Sequence, residues 1–212
     1  MQDEDFDQCR SHKGKSGSGA FITNHSSGKM GYAIAKAAVE AGHEVILVSG
    51  PVNLAPVEGL KKFISITTAA EMAEAMKQEF PSADLAILSA AVADYRPKNI
   101  SGSKIKKQEG NFFLELERTE DIAKTLGERK APFQKLIGFA AETDDLEENA
   151  LAKLEKKNFD GIAANKVGIE GQGFGSENNA ITFYSRKGTK KSLPLQSKEL
   201  LAKELLKTIL ED

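Results

Sequence analysis

From Phe21 onward, short apolar runs alternate with segments of three- and four-residue apolar periodicity. That alternation restricts the chain to a mostly parallel sheet covered by helices, because parallel strands need helical crossovers and burial on both faces. Residues 44–48 (Glu-Val-Ile-Leu-Val) read as a buried strand stopped by Ser49-Gly50-Pro51, and residues 63–66 read as another. Thr68-Ala-Ala-Glu71 is a capping box that opens a helix carrying Met72, Ala75, Met76 and Phe80 on one face. Residues 85–89, 136–140 and 160–164 are further strands, and residues 112–116 alternate like one. Thr119-Glu-Asp121 begins a helix with acids in its first turn, and a helix over 146–157 sets Lys153 and Lys157 four residues apart on one face. A Gly-rich loop at 171–179 precedes a hairpin of residues 180–185 and 191–195, and Leu201, Leu205 and Ile209 mark a closing helix. Ligands of such sheets gather at the carboxyl ends of the strands, so the segments that follow each strand are where chemistry is sought.

The first of those segments is Phe21-Ile-Thr-Asn24-His-Ser26-Ser27-Gly28-Lys29-Met-Gly31. Three apolar or β-branched residues run into a polar turn. Helical periodicity follows at Met30, Ala33, Ile34, Ala37, Ala38 and Ala41. A strand delivering a loop to a helix N-terminus makes an anion site from unpaired N–H groups and the helix dipole. Ser26 and Ser27 add hydroxyls, and Lys29 adds charge. The P-loop spacing is absent, since the glycine required before Gly28-Lys29 is Thr23 and the residue after is Met30. No G-x-G-x-x-G follows a strand and opens a helix. A plain structural turn therefore stands beside the anion site as a reading.

Ala90-Ala91-Val-Ala-Asp94-Tyr-Arg-Pro97 follows the strand at 85–89, and its small residues let a flat base or ribose approach the backbone. Asp94 equally suits a turn, and Phe139 suits a core. Lys104, Lys106 and Lys107 form either a flap over an anionic ligand or a solvated charge run. Lys153 and Lys157 are by default the wet face of a helix. His12, His25 and His43 are scattered, no metal-ligand spacing occurs, and no nucleophile has a companion base.

The balance of the chain excludes other classes. A net charge of −2 gives no reason to expect nucleic acid or a membrane surface. No apolar run approaches the roughly 18–20 residues that span a bilayer, and no signal peptide is recognisable. The single Cys9 has no disulfide partner within the chain, which suits a reducing cytoplasm. Residues 1–19 read as an atypical flexible tail or appended segment, and residues 20–212 as one domain.

The string from Asn24 to Gly31 resembles the phosphopantothenate–cysteine ligase family, the CTP-using step of coenzyme A synthesis. Further blocks at 90–97, 104–107, 138–143 and 173–179 match in order, so the resemblance runs from about residue 21 to 206. It implies a Rossmann-like three-layer α/β fold with a flexible basic loop and a C-terminal hairpin plus helix. The family's required asparagine falls on Asn24 and its flexible-loop lysine on Lys104. Contacts to CTP fall on Ala90, Asp94, Lys104, Phe139, Lys153 and Lys157, with the turn at 118–120, including Thr119, lining the pocket. Ala91 and the serines, Gly28 and Lys29 of the first turn complete the expected binding set. The resemblance also implies Mg²⁺ accompanying CTP, no flavin on this chain, 4′-phosphopantothenate and L-cysteine as substrates, and a homodimer. A flavin-dependent decarboxylase domain or protein is an expected companion.

Two departures stand out. Thr119-Glu120 replaces the Asn-Pro of many relatives, and ahead of Phe21 neither the family's first strand nor its Gly-Gly-Thr loop can be found. Two alternatives follow: a ligase-fold domain that binds or self-associates without turnover, and a Rossmann-like oxidoreductase lacking its glycine fingerprint.

If Lys104 lies over the triphosphate, Lys104→Gln lowers CTP-dependent pyrophosphate release by about 10²-fold, and Lys106→Gln and Lys107→Gln do much less. Equal, small losses that vanish at low salt would mark all three as a solvated patch.

Overall fold

The computed structural model describes residues 26–99, 109–111, 113–168, 173 and 175–212. The expected strand at 21–23, Asn24, Lys104 and the tail at 1–19 lie outside the described residues. Within them, helix α1 (Lys29–Glu40) is followed by β1 (Ile46–Ser49), β2 (Lys62–Ser65), α2 (Ala69–Glu79), β3 (Leu85–Leu88), β4 (Tyr95–Pro97) and β5 (Leu116–Arg118). Then come α3 (Ile122–Arg129), β6 (Lys135–Glu142), α4 (Leu146–Lys156), β7 (Gly161–Lys166), β8 (Asn178–Ser185), β9 (Lys190–Ser197) and α5 (Lys198–Glu211). No helix among the described residues is long and apolar enough to cross a membrane.

The main sheet runs β3-β6-β7-β8-β9, with β3, β6 and β7 parallel and β8 and β9 added antiparallel. Alternation along each strand sorts side chains to two faces. Ile137, Ala163, Ile181 and Phe183 pack with α1 and α5 through Ile34, Ala38, Leu201 and Leu205. Leu136, Ala140, Ile162, Ala164 and Tyr184 pack with α2, α3 and α4 through Ala73, Leu126, Ala150 and Leu154. The result is the Rossmann-like three-layer arrangement anticipated above. β7 sits deepest, with residues 161–165 all buried. The expected hairpin and closing helix are β8, β9 and α5.

Local chemistry sets several boundaries. Thr68 caps α2 by accepting from the Glu71 amide at 3.1 Å, while the Glu71 carboxylate accepts from the Thr67 and Thr68 amides. Buried Gln134 donates to the carbonyls of Phe80 and Ala83 at 2.6 and 2.7 Å, which fixes the entry to β3 against the entry to β6. Gly138 leaves room for the Phe159 ring, since a β-carbon there would lie 2.3 Å from Cε2.

Three expectations are corrected. The strand placed at 112–116 is β5, further along the chain. Phe113 is 87% exposed, so apolar alternation there does not reflect burial, and pairing with β4 decides the strand instead. Asp121 is the N-cap of α3 and accepts from the Lys124 amide at 3.1 Å, so no acid lies inside the first turn. Lys157 is the C-cap of α4, one residue past the helix.

β1 and β2 form a separate parallel pair. Among the described residues no strand lies between β1 and β3, and a cavity of about 1120 Å³ runs between them.

Gly138→Ala is expected to lower the melting temperature by about 2–12 °C, from an overpacking cost of roughly 1–3 kcal/mol and about 2–4 °C per kcal/mol at this size. Adding Phe159→Leu recovers part of that loss. An unchanged melt for Gly138→Ala would show that the ring moves aside freely.

Candidate functional site

Three elements converge at the carboxyl ends of β1, β3 and β6. The first turn of α1 starts there from Gly28, whose φ of 76° is left-handed backbone that favours glycine. Its N-cap Gly28 has no side chain to cap the helix and no acid lies in the first turn, so the N–H groups of that turn suit an anion. Gly31 lies so near Ser89 that a β-carbon would come within 2.8 Å of Oγ. Residues 89–94 continue from β3 as the second element.

The third element is the antiparallel β4–β5 pair, whose two strands flank the basic segment in sequence. Thr119 ties this pair to the end of β3. Its hydroxyl donates to the Ala93 carbonyl at 2.6 Å and its amide to the Asp94 carbonyl at 2.9 Å. Arg96–Glu117 at 2.8 Å and Lys98–Glu115 at 2.6 Å brace the two arms.

At the carboxyl ends of the strands the large cavity is lined by Ser89, Ala90, Asp94, Thr119, Phe139, Lys153 and Lys157. An adjoining cavity of about 170 Å³ is lined by Ser26, Gly28, Ser49, Ala90 and Ala91. The two share eight lining residues, Gly31, Ser89 and Ala90 among them. Six of the expected nucleotide contacts thus meet in one place, and the first-turn residues Ser26 and Gly28 meet Ala91 beside them. Ser27 and Lys29 line neither cavity. Lys29 instead donates to the Gly175 carbonyl at 3.1 Å and pairs with Glu177, tying α1 to the loop before β8.

Both site lysines hold carboxylates. Lys153 pairs with Glu142 at 2.5 Å and Lys157 with Asp121 at 3.0 Å. Burial pushes the Asp121 carboxyl up, but the Lys124 amide and the Lys157 ammonium outweigh it and leave its pKa below the usual carboxylate range. Both ammonium groups at the cavity wall are thus held in place by a carboxylate, Glu142 for Lys153 and Asp121 for Lys157.

Sequence reasoning did not single out Ser49, Ser89, Glu142 or Lys198. Lys198 is buried and donates to the Gly173 carbonyl at 2.9 Å. Burial pushes its pKa down, nearby Lys29 adds to this, and Glu177 partly offsets it. Its position at the start of an amphipathic helix gives no sign of burial. The strand-end serines could have been found by reading one residue past each apolar run.

Residues 20–211 match the sequence profile of the DNA/pantothenate metabolism flavoprotein C-terminal domain. The chain belongs to this family. It is 49% identical over 189 residues to the coenzyme A biosynthesis bifunctional protein CoaBC of Bacillus subtilis (strain 168), covering 89% of this chain and 46% of that protein. It thus spans about half the length of the curated relatives it matches. The crystal structure of the C-terminal domain of a CoaBC protein superposes with a TM-score of 0.77 at 45% identity, covering 92% of this chain and 87% of the other. A Cab2 structure in complex with phosphopantothenate-cysteine shares the fold, with a TM-score of 0.66 at 18% identity over 88% of this chain and 79% of the other.

Asp121→Asn keeps the cap, since both residues cap helices well, but removes the charge that Lys157 holds. Because the folded pKa of Asp121 is lowered, its stabilisation is present above the unfolded value of about 3.9 and is lost as pH falls through the folded value. Thermal melts of the two chains are expected to differ at neutral pH and to converge below about pH 4. A difference independent of pH would mean that the pair contributes nothing through charge.

Proposed function

We propose that this chain joins 4′-phosphopantothenate to L-cysteine at the expense of CTP, in coenzyme A biosynthesis. The observation that carries the reading is the meeting of Ala90, Asp94, Thr119, Phe139, Lys153 and Lys157 in one cavity beside the uncapped start of α1, in a chain of a pantothenate-metabolism family. The substrates and the two-step chemistry rest on the sequence resemblance.

In the first step the phosphopantothenate carboxylate attacks the α-phosphorus of CTP. The bond to the bridging oxygen breaks, pyrophosphate leaves with that electron pair, and an acyl-cytidylate remains. In the second step the cysteine amine attacks the acyl carbon, CMP departs from the tetrahedral intermediate, and the nitrogen loses its proton. Bringing an anion to a polyanion needs fixed positive ends near the departing charge. Lys153, Lys157, the α1 N-terminus and Lys104 are the groups assigned to this. Phe139 and the small residues from Ala90 onward give the base an apolar face and close backbone. Asn24, with two amide donors and an acceptor, holds the acyl phosphate in line for the amine.

Among the described residues no three His, Cys, Asp or Glu side chains converge as a metal cage. Mg²⁺ is assigned, on the sequence resemblance, to the triphosphate as part of the nucleotide substrate. A homodimer and a flavin-dependent decarboxylase companion complete the proposal, and the oligomer is read by light scattering.

Pyrophosphate release is expected only with CTP and phosphopantothenate together, with ATP a poor substitute because a pocket matched to cytosine leaves polar groups unpaired around a purine. Equal binding of ATP and CTP by calorimetry, or no release with any nucleotide, would contradict the reading. Asn24→Asp is expected to accumulate acyl-cytidylate in quenched reactions while amide product stays low. Absence of both species would remove the role given to Asn24.

A further inference from the structure

Among the described residues, Lys198 is the one charged side chain that is buried, and the chemistry proposed above does not use it. Buried lysines are rare unless a carboxylate pairs with them, yet the Lys198 ammonium donates to a neutral group, the Gly173 carbonyl, at 2.9 Å. Its backbone amide donates to the Glu177 carbonyl at 3.0 Å. As the first residue of α5 it also sets a cation where the helix dipole disfavours one. Lys29, the first residue of α1, repeats that arrangement. It donates to the Gly175 carbonyl at 3.1 Å and pairs with the Glu177 carboxylate. The two lysines grip one short stretch from two sides. Lys198 holds Gly173 and Glu177, and Lys29 holds Gly175 between them.

Helix packing shows why α1 needs this grip. Lys36 pairs with Glu199 and Glu40 with Lys203, so α1 and α5 lie side by side and run in the same direction. With residue 36 level with residue 199, Lys29 to Ile34 project about 9 Å past the start of α5 at the helical rise. At that projecting end Gly28 has no side chain to cap the helix. Support comes from Gly175 and Glu177, through Lys29. Gly173 and Gly175 both have left-handed φ, 89° and 76°. Glycine backbone is costly to order, so a stretch built on these residues needs an external tie. Lys198 supplies it.

We propose that Lys198 is a positioning residue: it fixes Gly173 and Glu177, that stretch fixes Lys29, and Lys29 holds the first-turn N–H groups of α1 where a phosphate of the nucleotide binds. Lys29 then acts on the loop and touches no phosphate itself. Burial pushes the Lys198 pKa down, and nearby Lys29 adds to this. Met is similar in length, packs adaptably and has no charge to bury, so Lys198→Met removes the tie and leaves the surrounding packing. The effect on the nucleotide rests on the CTP reading above, whereas the tie itself does not.

The test compares the full chain with Lys198→Met, Lys29→Met and the double variant. Native-state amide exchange reads the tie alone. The Tyr32 amide closes the first turn of α1 on the Gly28 carbonyl at 3.1 Å. It is expected to exchange about tenfold faster in each variant, with β6 and β7 unchanged. Calorimetry with CTP and Mg²⁺ reads the consequence. Kd is expected to rise about tenfold in either single variant and no further in the double, at unchanged stoichiometry, because both lysines act through one stretch. A merely structural role would lower the stoichiometry and the melting temperature while leaving Kd alone, and that result would overturn the proposal. Losses that multiply to about a hundredfold in the double variant would overturn it as well, since independent effects add in free energy and Lys29 would then contact phosphate directly. If the unaltered chain binds no CTP, the function proposed above fails and the Tyr32 amide decides alone: unchanged exchange there in Lys198→Met overturns the tie. Lys198→Gln, with a shorter reach and no charge, replaces Lys198→Met should that variant not fold. If neither folds, Lys198 is structural and the proposal falls.

Discussion

Every peptide group in a parallel sheet must find a partner while both faces of the sheet stay dry, and this double requirement organises the chain. Where it is met, at β6 and β7, Gly138 and Gly161 yield space to the rings of Phe159 and Phe183 so that helices can close on both faces. Around that pair the antiparallel β8 and β9 extend the sheet, and α5 lies against α1 across their apolar face. The same requirement places the chemistry. With the sheet faces covered, backbone groups remain available to a ligand at the carboxyl ends of strands and at the uncapped start of α1.

The electrostatics of the site follow from those positions. Lys153 and Lys157 sit at the end of α4, where cations are favoured by the helix dipole, and they lean on Glu142 at the end of β6 and Asp121 at the cap of α3. Such partly exposed pairs add little stability. Their value is geometric, because they hold two long side chains at the cavity wall. Thr119 acts similarly through the backbone, joining the segment after β3 to the end of β5.

Much of this was legible because it is local. The Thr68–Glu71 capping box, the β8–β9 hairpin and the closing helix all depend on residues within a few positions of each other. Non-local partners were not legible. Lys29 reads as an anion ligand beside Gly28, yet its carboxylate partner Glu177 is 148 residues away. Asp121 reads as a first-turn acid, but one backbone bond makes it the cap. The strand expected at 112–116 lies further along the chain, because Phe113 and Leu114 look like core while both are exposed, and strand pairing with β4 is invisible to periodicity. The grouping of Ala90, Asp94, Phe139 and Lys157 was available only through the family resemblance, since no spacing rule links the ends of different strands.

If pairing on both edges decides where the chain is rigid, native-state hydrogen exchange reads it most directly. The amides of β6 and β7 are expected to exchange only through global unfolding, the slowest in the protein. Those of β1 and β3 that face the cavity between them are expected to exchange through smaller openings, at least tenfold faster. Protection of β1 and β3 equal to that of β7 would contradict the account, because it would mean that both their edges are already paired.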